Sequence, residues 1–471
     1  MRLKIYSLIA AGTLTLALSS CKKDFLDQNP ITQVGPDVAF ADAAAAEKLI
    51  QGAYDGMYND YHIWDYMTNG DVRSDNAYAG GDNPANIQLD LFTVISTNGN
   101  VTRDWNALYS DIKNCNLIIT NVPNIVDTKL DVGDRRRQIL AEASILRAYM
   151  YFNLVRTWGS VPLVVKVPTT DAEFYPAKAS VDAIYAQIIS DLEYGATNAR
   201  ATAPNKGIMT KGVANALLAK VYASKPTPDW TKVSTYCDAV INGGYSLVSN
   251  YDFLWDSNHK NNTEAIWEMQ YDGYGGLHGN WMPSVLVGTG WKRFNTPTNS
   301  LSKAFDDAGD AVRKASSIKF NNVVSEGWSD SYWSKTSYPY INKYRADDKS
   351  DNYILRLADI ILLKAEALNE LSASGWSSAA TLVNQVRSRV NLGALTATDQ
   401  ASMRLAIENE RRLELAFEGH RWFDLLRTNR VIPVMNAQVD GTGANLNYNI
   451  SASKLYFPIP QDELDKNPNV R

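Results

Sequence analysis

Apolar residues recur at three- and four-residue steps through most of the chain. The segments AAAAEKLIQGAYDGMY, TRDWNALYSDIKNCNLIITNV, RRQILAEASILRAYMYFNLVRTW, DAIYAQIISDLEYGA, KGVANALLAKVYAS and LADIILLKAEALNEL all carry this period, which gathers their apolar side chains on one face of a helix. Strand-like stretches are short and scattered, as in PLVV and KLYFPIP. Two stretches match at a constant offset, with Leu217, Ala219, Trp230 and Val240 corresponding to Leu363, Ala365, Trp376 and Val386. Each set reads as a helical hairpin: a small residue on the first helix, a turn with Pro or Gly, and a Trp opening the second helix. Alanine lets two helix backbones approach closely, so such pairs suit a tetratricopeptide-type stack. The pattern predicts a mainly α fold with few short strands.

The helical period fades in two places. One runs from Tyr251 to Arg345, where Gly, Asn, Ser and Asp become frequent and Trp255, Trp267, Trp281, Trp291, Trp328 and Trp333 fall. The other is NGDVRSDNAYAGGDNPAN, from Asn69 to Asn86. Long turn-rich segments inside a compact protein tend to carry function. The expected organisation is one domain over residues 21–471, a helical-repeat scaffold with loop-rich insertions near 69–100 and 251–345 forming an irregular ligand-binding face.

Charge and the first residues narrow the partners. A net charge of -5 over 471 residues supplies no basic footprint for nucleic acid. Arg2 and Lys4 precede an apolar run from Ile5 to Leu18, too short to span a bilayer and suited to a secretory signal over residues 1–20. Leu18, Ser19 and Ser20 then lead into Cys21, an order similar to a bacterial lipoprotein box, so Cys21 is the expected lipidation site and outer anchor. Cys115 and Cys237 each sit in a helical pattern and read as buried thiols, although spacing alone leaves a disulfide open. Four histidines, with no His-Glu-x-x-His motif and no paired cysteines, give no support for a zinc site. No cofactor is called for.

The densest chemistry lies in ENERRLELAFEGHRWFDLLR, residues 408–427. Glu408 and Arg412 are spaced four apart, and Arg411 and Glu414 three apart, as helical ion pairs. Gly419 falls where a helix must stop, and RWFDLLR can open another with Trp422, Leu425 and Leu426 packing inward. A glycosidase would need two carboxylates flanking a sugar from opposite sides. Glu414 and Glu418 share one helix face, so the cluster reads as structural, and no catalytic residue is assigned.

The same stretch resembles the C-terminal signature of the SusD/RagB family, outer-membrane lipoproteins that bind nutrients beside a TonB-dependent transporter. The resemblance extends in order through RAYMYFNLVRTWGSVPL, KGVANALLAKVY, RLADIILLKAEALNEL, VNQVRSRV and FPIPQDELDKNPNV, and CKKDFLD is similar to the family's start. It implies four tetratricopeptide-like helix pairs, a loop face that binds glycan, surface display on the outer membrane, and a SusC-like transporter as partner. Ligand contacts are not held in a fixed family motif. Composition and location nominate Asp71, Arg73, Asp75 and Asn76 for sugar hydroxyls, and Trp281, Trp291, Trp328 and Trp333 for stacking. Three function classes remain at this level: a glycan-capturing lipoprotein, a glycan-cleaving enzyme, and a repeat scaffold for peptide or protein.

Overall fold

The structure, a computed structural model, describes residues 39–471 apart from residue 289. Ten helices organise it. They are α1 (Ala43–Asp55), α2 (Gly99–Asn121), α3 (Arg135–Trp158), α4 (Val181–Asn198), α5 (Lys211–Ser224), α6 (Trp230–Ile241), α7 (Leu357–Leu371), α8 (Trp376–Ser388), α9 (Gln400–Glu414) and α10 (Arg421–Arg427). Their starts are chemically marked. Asp42, Asn98, Ser180, Thr210 and Asp229 each accept a backbone N–H of the first turn, and Asp399 forms a reciprocal capping box with Ser402, which satisfies donors that the helix itself leaves unpaired.

Sequence neighbours pack in series: α2 on α3, α3 on α4, α4 on α5, α5 on α6, α6 on α7, then α7 on α8 and α9. The two matched hairpins are α5–α6 and α7–α8, and Trp230 and Trp376 are the first residues of their second helices. Ala214, Ala216, Ala219 and Ala365 are wholly buried at these crossings, as close backbone approach requires. Cys115 and Cys237 are buried free thiols in α2 and α6.

Among the described residues, strands form three antiparallel pairs. β1 (Ala77–Tyr78) pairs with β3 (Thr296–Pro297), β2 (Ala265–Met269) with β6 (Asn352–Arg356), and β4 (Ile318–Asn321) with β5 (Tyr338–Ile341). The expected PLVV strand is instead one isolated bridge from Pro162 to Lys178. Side chains satisfy its backbone: Tyr151 Oη donates to the Val164 carbonyl at 2.8 Å and accepts its N–H at 2.7 Å, and Arg147 donates to the Val165 carbonyl. KLYFPIP is likewise no strand; Phe457 N–H donates to the carbonyl of Thr157 at the end of α3.

Two expected loop regions are more ordered than their composition suggests. Residues 66–71 form a short helix, and every side chain from Asn69 to Asn76 is buried. Within 251–345, Trp255 and Trp267 are core residues, 2% and 1% exposed. Among the described residues, no helix is long and apolar enough to cross a membrane. Cys21 and the signal segment lie outside the described residues.

Candidate functional site

The charged cluster of residues 408–427 is a buried ion lattice. Glu414 accepts from Arg356 at 2.6 Å, from Arg313 at 2.8 Å and from Arg389. Glu418 accepts from Arg356 at 2.7 Å and from Lys343 at 2.6 Å. Burial alone would raise both carboxyls, but the surrounding cations hold Glu414 well below, and Glu418 below, the ordinary carboxylate range. The lattice fastens the end of α9 to β6, while Tyr251 and Tyr344 hydroxyls donate to the carbonyls of Glu414 and Phe417. The intrahelical pairs expected from spacing are replaced by longer-range ones. Arg411 binds Asp359 and Asp424, Arg412 binds Asp75, and Glu408 binds Arg421 and Arg430. Inward-turned charges at a helix crossing meet residues from other elements before they meet their own helix.

The four nominated hydroxyl contacts lie in the interior beside this lattice, a correction to the sequence reading. Asp75 accepts both guanidinium arms of Arg421, at 2.7 and 3.0 Å; against the opposing effect of burial, Arg412 and Arg421 hold its carboxyl down to about 2. Asn76 accepts from Arg412 at 3.0 Å. Asp71 accepts the Gly419 N–H and is pushed up to about 7 by burial. Arg73 lies between the rings of Trp422 and Phe457. Asp71, Asp75 and Asn76 are therefore interior fastenings, with no surface on which to meet a sugar.

The four nominated tryptophans lie on the long loop segment, each in a different setting. Trp281 is half-buried and donates its indole N–H to Asp60 Oδ1 at 2.7 Å. The same oxygen accepts the Trp64 indole at 3.1 Å, and the other carboxylate oxygen meets Arg103 at 3.0 Å. Asp60 directly precedes a π-helical turn, Tyr61–Asp65, a feature frequent at functional positions. Asp65, the last residue of that turn, and Asp104 are buried, and burial raises their carboxyls, Asp104 to about 6. Trp328 is half-buried beneath the Arg293 guanidinium, 3.5 Å from its ring centre. Arg293, a non-glycine residue at φ 38°, also donates to the Gly80 carbonyl at 2.9 Å, which ties this loop to the end of β1. Trp333 donates to the Pro297 carbonyl at 2.9 Å and meets Phe320 edge-on. As stacking platforms, Trp281, Trp328 and Trp333 are thus partly spent on internal contacts. Trp291 is 60% exposed, with the Lys292 ammonium 5.4 Å from its ring centre.

Several further residues with aromatic and acidic contacts escaped the sequence reading. Tyr274 and Leu277 are 73% and 80% exposed in the glycine-rich turn YDGYGGLHGNW. Tyr58 stacks on His278 at 4.0 Å, and His278 also meets Asp55. Asp330 accepts the hydroxyls of Tyr78 and Tyr338, while Tyr332 stacks on Tyr78 at 3.9 Å. The glycines flanking Tyr274 were the available signal, since they free a turn to display its aromatic ring. Among the described residues, no group of three or more His, Cys, Asp or Glu side chains could hold a metal ion.

A helical stack carrying an irregular aromatic loop face is a specific architecture, and comparison with known proteins places it. The SusD family profile matches residues 321–471, and a second profile, described as starch-binding associating with outer membrane, matches residues 24–223. The chain is similar to the SusD family over both of these stretches. It is 28% identical to SusD-like protein P2 of Formosa agariphila, over 97% of each chain. It is 26% identical to a SusD-like protein of Bacteroides ovatus, covering 90% of this chain and 83% of that one. Among solved structures, a laminarin-binding SusD-like protein superposes with a TM-score of 0.75 at 26% identity, covering 91% of this chain and 98% of the other. A SusD superfamily protein of Bacteroides vulgatus, at 21% identity and a TM-score of 0.78, shares the fold.

Proposed function

We propose that the protein is a glycan-capturing lipoprotein of the outer membrane, which binds oligosaccharide on its loop face and passes it to a SusC-like TonB-dependent transporter. The exposed ring of Trp291 carries this reading. Sugars present apolar C–H faces and hydroxyl edges, so a site needs an aromatic platform with acids or arginines at its rim. Asp60 and Arg103, each about one-third exposed with side-chain values of 30% and 36%, replace Asp71, Asp75 and Asn76 as the proposed rim groups, with the half-buried Trp281 bound to Asp60. The similarity to a laminarin-binding protein favours a glucan-like ligand. A hydrolytic reading gains nothing from Glu414 and Glu418, which guanidinium groups enclose.

Captured sugar must still cross the outer membrane, a task suited to closed barrels. Cys21 is proposed as the lipid anchor and residues 22–36 as the transporter-side contact. Native electrophoresis through gels containing different polysaccharides tests the binding. Retardation by at least one glucan, with no product released after long incubation, is the expected result. Free migration in every gel, or release of cleaved sugar, would refute the proposal.

A further inference from the structure

Asn409, Arg412 and Leu413 stand at i, i+3 and i+4 on α9 and so share one face of that helix. A helix of 9 residues, Asn299–Asp307, packs on α9, and its Ser300, Ala304 and Asp307 share a face by the same spacing. Between these two faces, and closed on a third side by residues 437–439, lies a cleft of about 590 Å³. Arg412 reaches into it with a side chain that is 10% exposed. Two of the guanidinium nitrogens are committed. Nε donates to Asn76 Oδ1 at 3.0 Å, and Nη2 donates to the Asp75 carbonyl at 2.7 Å and to Ser300 Oγ at 3.0 Å. Nη1 makes no hydrogen bond to the described residues yet is not buried, so the accessible part of the side chain, which lines the cleft, includes this arm.

The remaining polar groups are of mixed sense. Ser300 accepts from Arg412, which leaves its hydroxyl proton free to donate. Asn299 Nδ2 donates to the Tyr332 carbonyl and Gln438 Nε2 to the Val434 carbonyl, each at 2.9 Å, so both amide oxygens remain acceptors. Asn409 is exposed at the rim. The charges cancel: Lys303 pairs with Asp307, and Arg412 lies 3.2 Å from the Asp75 carboxylate. Ala304, Ala308 and Leu413 add apolar wall. Donors and acceptors in a charge-balanced, partly apolar cleft match a neutral polyhydroxyl ligand better than an ion.

We propose that this cleft is a second glycan subsite, which holds the hydroxyl edge of a neutral sugar unit with Arg412, Ser300 and Asn409 as donors and Asn299 and Gln438 as acceptors. Its described walls carry no aromatic ring, so it reads hydroxyls rather than ring faces. Asn299 also ties the cleft to the loop bearing Trp333, whose indole donates to the Pro297 carbonyl; a sugar chain lying on that loop can continue into the cleft. Asp75 and Asn76 then serve as positioning residues that fix the Arg412 fork. The subsite rests on the glycan-capture reading for its class of ligand, and not on Trp291.

Hydrogen–deuterium exchange of the whole folded protein tests it, with laminarihexaose, maltohexaose and xylohexaose as probes. At least one probe should slow exchange over residues 299–308 and 436–440, in wild type and in Trp291→Ala alike. Combining Asn409→Ala with Gln438→Ala alters only side chains at the cleft rim. This double variant should melt as wild type does and need about tenfold more probe for the same protection there, while the loop around Trp291 responds as before. Protection confined to the Trp291 loop would overturn the subsite and leave glycan capture at Trp291 standing. Protection of the cleft without the Trp291 loop would support the subsite and move capture away from Trp291. Protection at neither place would overturn both, and cleft protection undiminished in the double variant would overturn the subsite alone.

Discussion

Glu414 sits wholly buried among three guanidinium groups, so Glu414→Gln leaves arginines without their counter-charge. Breaking a buried pair in this way typically costs about 3–5 kcal/mol. Thermal unfolding should register that loss, while polysaccharide retention by the folded fraction persists. An unchanged melting temperature would contradict the lattice. Asp90 behaves in the opposite sense. Burial pushes its carboxyl up to about 7, while it accepts from Tyr448 Oη at 3.2 Å and from the Ala79 N–H. A raised carboxyl pKa gives stability that is fully present below the unfolded value near 4 and is lost as pH rises through about 7. Asp71 adds to the same trend. The contribution of these two carboxyls to the melting temperature should therefore decline between about pH 4 and pH 7, and the difference between wild type and Asp90→Asn should change across that window; a constant difference would remove Asp90 from the account. At this scale the sequence was least legible. Asp75 finds Arg421 across 346 positions, a contact no local pattern encodes, and Asp and Asn in a turn-rich stretch look alike whether they face water or an arginine.

The helices were legible because apolar spacing reports directly on which face meets the stack. The hairpins α5–α6 and α7–α8 emerged from four matched positions in each, with Trp230 and Trp376 opening their second helices. Strands were less visible. The β1–β3 and β2–β6 ladders join segments distant in sequence, and PLVV has its backbone satisfied by Tyr151 and Arg147 without a full partner strand. One junction depends on glycine at two points. Gly419 has φ 74°, and a Cβ on Gly70 would lie 2.1 Å from the Gly419 carbonyl oxygen. That clash is backbone against backbone, so no side-chain rotation relieves it. Gly70→Ala should destabilise the protein by about 1–3 kcal/mol or more, measurable as a lower urea midpoint, and a midpoint equal to wild type would mean that the two segments can separate freely.

For the whole molecule, the proposed function rests on an anchor, a binding face and a transporter working together. If Cys21 carries the lipid, Cys21→Ala should move the protein from the membrane fraction to the soluble fraction, and full retention in the membrane would exclude that anchor. Mild detergent extraction followed by affinity purification should recover a large barrel protein in near-equal amount; recovery of this chain alone would count against the transporter partnership. The binding face decides the rest, because a scaffold without it has nothing to deliver. Isothermal titration of the best-retained oligosaccharide against wild type and Trp291→Ala tests this most directly. The exposed ring contributes little to folding, so both proteins should melt alike while the variant binds about tenfold or more weakly, as loss of one stacking platform implies. Equal affinity in the two proteins would contradict the assignment of the Trp291 face as the site of glycan capture.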